Sequence, residues 1–313
     1  MKETLTNANF PRDAQGRVYH LSLKEGEVAN RILTVGDHVR ARAIARHLDT
    51  EEECGHKIFE NVSQRGFTTI TGRYKGVPVT ILAIGMGNPM MDFFVREVRA
   101  VTKGPIAIIR FGSCGSLNVN APPGSVVVPY GGYCIRRNLD YFAEEKVTPQ
   151  LDKPYLISGV FKADAEMTAT LERTMKEALA PVTAKNDMVG PVVAGGLNAD
   201  GCSFYSSQGR LDPTFWDDNE EVIQDALSVH PTTNSLEMET SMLFHLAHCV
   251  KDTDRPIRAA GCMQVFADRV NNGFISPDVV GLLEPVAGRA VLEALIQTKI
   301  EEVDEKGTVW ERK

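Results

Sequence analysis

Two arginines stand beside small, turn-forming residues, Arg40 in VGDHVR and Arg110 in IIRFGSCG. A guanidinium next to glycine amides suits an oxyanion, because both present N–H donors in a set geometry. The segment 201–210, GCSFYSSQGR, holds an aromatic pair, Gln208 and Arg210 in a Gly/Ser-rich frame. An aromatic ring stacks, an amide both donates and accepts, and an arginine only donates, so this set fits a planar heterocycle with both kinds of group on its rim. In SLEMET, 235–240, Glu237 and Glu239 are two apart and share one side of an extended backbone, with Met238 on the other. A carboxylate placed there can accept from the vicinal hydroxyls of a ribose. Each segment alone also has an ordinary reading: a paired surface arginine at a strand end, solvated helix arginines at 40 and 42, a polar loop with one aromatic anchor, and two solvated glutamates before a helix.

The elements that must position these groups alternate along the chain. Residues 106–109, IAII, read as a strand buried on both faces, ending at Arg110 in a turn of Gly112, Ser113 and Gly115. RILTV, 31–35, reads as a strand, with Gly36-Asp37 as the turn and Asp37 as N-cap of a helix over 38–48, so Arg40 lies one turn in. Residues 67–72 and 77–84 read as a hairpin, and Gly85-Met86-Gly87-Asn88-Pro89 leads into a helix from Met90 to about Thr102. That glycine spacing is neither a dinucleotide fingerprint nor a Walker loop. Further strands are expected at 124–129, 189–195 and 258–269, and helices at 164–179, 241–250 and 278–302. His245 and His248 lack the glutamate of a zinc helix. The pattern means α/β with a mostly parallel core. Residues 18–21 are expected as a short extended patch, 136–160 as a long surface loop, and the charged tail as frayed.

The 313 residues, 43% of them hydrophobic, suffice for one large core, so 1–313 is read as one domain. A net charge of -7 argues against a general nucleic-acid or membrane-surface binder. No stretch has the apolar length of a membrane span, and MKETLTNANFPRDAQGR lacks the apolar core of a secretory signal, so a cytoplasmic protein is expected. Cys54, Cys114, Cys134, Cys202, Cys249 and Cys262 are scattered without CxxC spacing, which suggests free thiols and no metal site.

Taken together, the segments resemble the nucleoside phosphorylase-I family, most closely its uridine phosphorylase branch. VYHLSL resembles the family's N-terminal histidine strand, VGDHVR its phosphate turn, RGFTT its second arginine, IIRFGSCG its Arg-x-Gly-Ser/Thr turn, FYSSQGR its uracil-reading segment and LEMET its ribose motif. One such match is weak; six in the family's order are strong. The resemblance implies a twisted mixed sheet, partly barrel-like and flanked by helices, assembled as a homodimer or larger homo-oligomer with shared active sites. It implies phosphate-dependent, reversible cleavage of uridine to uracil and ribose 1-phosphate, with orthophosphate as co-substrate and no cofactor.

By the same resemblance Gly36, Arg40, Arg110 and Ser113 bind phosphate from one subunit, while Arg65 (phosphate) and His20 (ribose 5′-hydroxyl) reach in from its neighbour. Phe204 stacks on the base, Gln208 and Arg210 read its edge, and Arg269 backs that pair. Met238 and Glu239 hold the ribose, and Glu237 belongs to the same motif. Two other functions stay open at this point. Purine nucleoside phosphorylase is one, because Asp268 lies one residue from the position of that branch's catalytic aspartate. A non-catalytic nucleoside-binding or storage protein of the same fold is the other, against which the intact Arg40, Arg65 and Arg110 argue. The chain departs from the bacterial members at Gly66, where they carry a cation-binding glutamate, and at 212–234, a longer stretch expected to cap the site or alter assembly. Asp268 itself is expected to be structural, paired with a nearby arginine.

Overall fold

The computed structural model describes residues 5–145, 147 and 152–312. RILTV forms strand β1 (Arg31–Val35), and helix α1 (His38–Ala45) follows, with Asp37 accepting from the amide of Val39 as its cap. A short α2 (Glu51–Cys54) precedes β2 (Phe59–Val62), β3 (Thr68–Tyr74) and β4 (Val77–Ala83). Lys75 and Gly76 join the last two at φ of 50° and 80°, the left-handed pair that a tight hairpin needs. Next come α3 (Asn88–Val101), β5 (Ile106–Ser116), β6 (Val126–Val128), β7 (Gly131–Arg137), α4 (Leu139–Phe142), β8 (Tyr155–Ile157), β9 (Phe161–Lys162) and α5 (Ala165–Thr183). The chain continues through β10 (Val192–Ala194), β11 (Leu197–Gly201), α6 (Val222–Val229), β12 (Thr233–Glu237), α7 (Thr240–His248), β13 (Ile257–Asp268) and α8 (Pro277–Gln297).

Among the described residues these strands form one mixed sheet in the order β2-β3-β4-β1-β5-β12-β11-β7-β8, from which β13 branches to pair with both β5 and β6. Strand β5 is the hub, parallel to β1 and β13 and antiparallel to β12. Successive strand residues face opposite sides, and in β1 and β5 both sides are apolar. Leu33 and Ile109 join a core with Ile44 of α1, Leu171 of α5 and Leu283 of α8. Ile32 and Ile108 join the opposite core with Phe94 of α3 and Phe244 of α7.

Four expectations are corrected. Strand β5 does not end at Arg110: β13 pairs with it from Ile257↔Ile106 to Asp268↔Ser116, so 112–115 is strand rather than turn. Gly115 serves close packing there, since a Cβ would stand 2.9 Å from Cγ of Arg269. Within 136–160, the end of β7, α4 and β8 replace the expected surface loop, and residues 146 and 148–151 lie outside the described set. Residues 19–21 form a turn after an isolated bridge between Arg12 and Val18, rather than an extended patch. The tail is anchored, not frayed. Buried Arg73 donates to Glu305 and, at 2.8 Å, to the carbonyl of Trp310, whose side chain is 2% exposed.

Candidate active site

A cavity of about 480 Å³ opens where β1, β4, β5 and β12 deliver loops and side chains to one place, within the size range of small-molecule sites. Gly36, Arg40, Arg110, Ser113, Phe204, Gln208, Arg210, Glu237, Met238 and Glu239 all line it. Residues from four separate sequence segments are thus neighbours in space.

Arg40 is buried because its helix starts at the Asp37 cap and packs on the sheet. Its Nη2 donates to Oγ of Ser113 at 2.8 Å and its Nε to Glu284 at 2.8 Å. Glu284 also accepts from the amide of Gln264 at 2.7 Å, so the guanidinium is held from behind and the Ser113 side faces the cavity. The turn at Gly36 abuts that at Gly85, whose amide donates to the Gly36 carbonyl at 3.0 Å.

Arg110 occupies the middle. Its Nη2 donates to Glu239 and its Nε to Glu237 at 3.3 Å, while Nη1 is buried without a partner among the described residues. Glu239 also accepts from the amide of Gly87 at 2.5 Å. Glu237 accepts from Asn198 at 2.7 Å and from the amide of Thr240 at 2.9 Å. Asp200, fully buried one strand away, accepts from the amide and hydroxyl of Ser241 at 3.1 and 2.8 Å. Burial opposes the charge on Arg110, but Glu239 and Glu237 outweigh it and hold its pKa up. Burial pushes Glu239 up to about 7, with Arg110 pulling it down and Glu237 adding to the rise. Burial, then the charge of Glu237, holds Asp200 well above the usual carboxylate range.

At the other end, the segment 203–210 folds on a single 3₁₀ turn, Ser206–Gln208. The Arg210 guanidinium lies 3.7 Å from the Phe204 ring centroid and donates to the Gln208 side-chain oxygen at 2.5 Å. Gln208 donates in turn to the carbonyl of Glu237 at 3.3 Å, which ties the Gln208–Arg210 pair to β12. Burial, then the charge of Arg269, lowers the pKa of Arg210 to about 10. Arg269 lies outside the cavity lining and donates to the carbonyl of Gly209 at 3.3 Å, so it supports the segment from behind. Nothing in 212–234 lines the cavity. Instead Asn219 donates to the carbonyls of Ser206 and Arg210, both at 3.0 Å, and braces the same segment. The expectation of a cap is corrected to that of a brace.

His20 and Arg65 are not brought to the cavity. They sit together elsewhere: His20 Nδ1 is 2.6 Å from Glu97 and its ring stacks on Phe93 at 3.9 Å, while Arg65 bonds the hydroxyl of Tyr19 at 2.5 Å. Asp268 is also outside. It accepts from the amides of Val270 and Asn271 at 2.8 and 2.9 Å, and from the Asn271 side chain, so its partner is an asparagine and its own turn rather than the expected arginine.

Asn198, Asp200, Asn219 and Glu284 were not read as site residues from sequence. Polar residues in LNADG mask a buried strand, and the carboxylate of Glu284 is one of many on a helix. The only available signal was the alternation of Asn198 and Asp200 just before the GCSFYSS segment.

A branched, twisted mixed sheet flanked by helices, with a cavity that joins an arginine-serine pair to a carboxylate strand and an aromatic-glutamine-arginine segment, is the nucleoside phosphorylase fold. The chain belongs to the Phosphorylase superfamily, whose profile matches residues 30–271. It is 27% identical to a uridine phosphorylase of Thermococcus kodakarensis over 88% of this chain and 86% of that protein. A solved uridine phosphorylase from the oomycete Phytophthora capsici is 40% identical, with a TM-score of 0.87 over 95% of this chain and 100% of the other. A DeoD-type purine nucleoside phosphorylase of Caldanaerobacter subterraneus matches only 35% of the chain and 44% of its own length, at 34% identity.

Proposed function

We propose that this protein is a uridine phosphorylase, a cytoplasmic homo-oligomer that cleaves uridine with orthophosphate to uracil and ribose 1-phosphate, reversibly and without a cofactor. The observation that carries this reading is the order around one cavity: Arg40 with Ser113, then Arg110 with Glu239, then Gln208 with Arg210 and Phe204. That order matches the phosphate, ribose and base of one substrate pair. The two uridine phosphorylase relatives, which match nearly the whole chain, support the same choice.

In the reaction a phosphate oxygen attacks the anomeric carbon as the bond to the base nitrogen breaks, and the base leaves with the electron pair. Gly36, Arg40, Ser113 and Arg110 position the phosphate, with Arg65 of a neighbouring subunit. Glu239 accepts from the ribose hydroxyls beside Met238, and His20 of the neighbour meets the 5′-hydroxyl. Arg210 and Gln208 donate toward the charge building on the uracil carbonyl, and Phe204 offers a ring face. The sugar becomes oxocarbenium-like, as in glycoside cleavage. Asp268 has no part in this scheme, which weighs against purine chemistry that relies on it.

The test is to incubate the protein with uridine or inosine, with and without phosphate, and to measure ribose 1-phosphate. Uridine should be consumed only with phosphate, and inosine left essentially untouched. Comparable inosine turnover overturns the pyrimidine reading, and binding of uridine without turnover points to the non-catalytic alternative.

A further inference from the structure

Gly36 and Arg40 of the VGDHVR turn have roles in the scheme above, but His38 between them has none. His38 opens α1 and is among the residues that line the same cavity as Arg40 and Ser113. Its Nδ1 lies 2.6 Å from Oγ1 of Thr68, a fully buried hydroxyl on β3. Thr68 makes no other side-chain hydrogen bond among the described residues, so its proton is assigned to Nδ1, the tautomer that puts the ring proton on Nε2. Nε2 has no hydrogen-bond partner among the described residues. In that tautomer Nε2 is an N–H donor on a cavity-lining residue, two residues before an arginine that bonds Ser113. The neighbouring Asp37 carboxylate is occupied with the amide of Val39 at 2.8 Å.

We propose that His38 is a further phosphate ligand, donating from Nε2 to a phosphate oxygen beside Arg40 and Ser113, with Thr68 fixing its tautomer and orientation. This rests on the uridine phosphorylase reading and adds to it a neutral donor on the wall that carries Arg40. A neutral donor adds direction without another charge, so it should affect phosphate binding and leave the nucleoside end alone.

The test compares His38→Leu, His38→Gln and Arg40→Ala with the wild-type enzyme. A hydrogen bond to a charged group of this kind is worth about tenfold in affinity. His38→Leu should raise the phosphate KM by about that factor, with kcat at saturating phosphate and the uridine KM within about twofold of wild type. Glutamine, whose amide nitrogen reaches about as far as Nε2, should recover most of the loss. Titration of the free protein with orthophosphate should show the same order of affinities. An unchanged phosphate KM and affinity in His38→Leu, alongside a large loss in Arg40→Ala, would overturn the His38 assignment and leave the functional reading intact. A wild-type protein that neither binds nor requires phosphate would remove both.

Discussion

The guanidinium of Arg110, in the middle of β5, donates to the carboxylate of Glu239, which opens α7, and both side chains are only 4% exposed. Glu237 and Asp200 stand behind this pair, so three carboxylates crowd one buried cation. The pair therefore sits at a site whose net charge changes as protons bind.

The first prediction concerns pH. Glu239 has its pKa raised by burial from 4.5 to about 7. Between those values the folded chain holds a proton that the unfolded chain has lost, so this group makes stability fall as pH rises from 4.5 to 7. Urea midpoints of wild type and Glu239→Gln, measured across that window, should diverge because only wild type carries this decline. Ionised Glu239 is also the better acceptor for ribose hydroxyls, so the wild-type uridine KM should rise as pH drops below about 7. Parallel pH profiles in the two proteins would count against the shift.

Arg110→Ala should remain folded and lose roughly two orders of magnitude in turnover at saturating phosphate, equivalent to about 3 kcal/mol for one preorganised charged donor. It also leaves Glu237 and Glu239 without their buried cation, which typically costs about 3–5 kcal/mol of stability. Part of that loss should be relieved at pH 6 relative to pH 8, because Glu239 can take up a proton. Near-normal turnover would remove Arg110 from the site.

Gln208→Leu breaks the link from Arg210 to the carbonyl of Glu237. Steady-state kinetics should show a higher uridine KM and lower kcat, with the phosphate KM unaltered. Unchanged uridine kinetics would discredit the base-reading role of this segment.

Arg65 and His20 lie together away from the cavity, and the proposed function has them serve the site of a neighbouring subunit. Arg40→Ala and Arg65→Ala dimers should each be nearly inactive. After they are mixed, unfolded and refolded together, half of the dimers should be mixed, each with one intact site and one doubly damaged site, which restores about a quarter of wild-type activity. No recovery, once native mass spectrometry has shown mixed dimers, would mean that Arg65 acts within its own subunit or not at all.

Trp310 is buried beside the bonds from Arg73, so Trp310→Ala should cost about 3–5 kcal/mol in urea unfolding, as for other buried large side chains. A frayed tail would give almost no change.

The sequence by itself determined the local parts of this protein. RILTV, the Asp37 cap and the hairpin of β3 and β4 are set by side-chain period and by hydrogen bonds spanning a few residues; the first two stand where the pattern put them, and the hairpin does so with its first strand running on from 72 to Tyr74. The segments holding Arg40, Arg110, Gln208 and Glu239 were legible because each carries an unusual group in a small-residue frame. Only the tertiary structure decided that Glu284 holds Arg40, 244 residues away, and that Arg110 meets Glu237, 127 residues away. It also decided that β5 runs on to Ser116, that Asp200 and Asn219 support the site, and that the charged tail is anchored. Such pairings have no local signature: a carboxylate on a helix or in a short strand looks like any solvated one. What selects it is the free energy of leaving a buried guanidinium or amide unpaired, and that exists only once the sheet has closed around it.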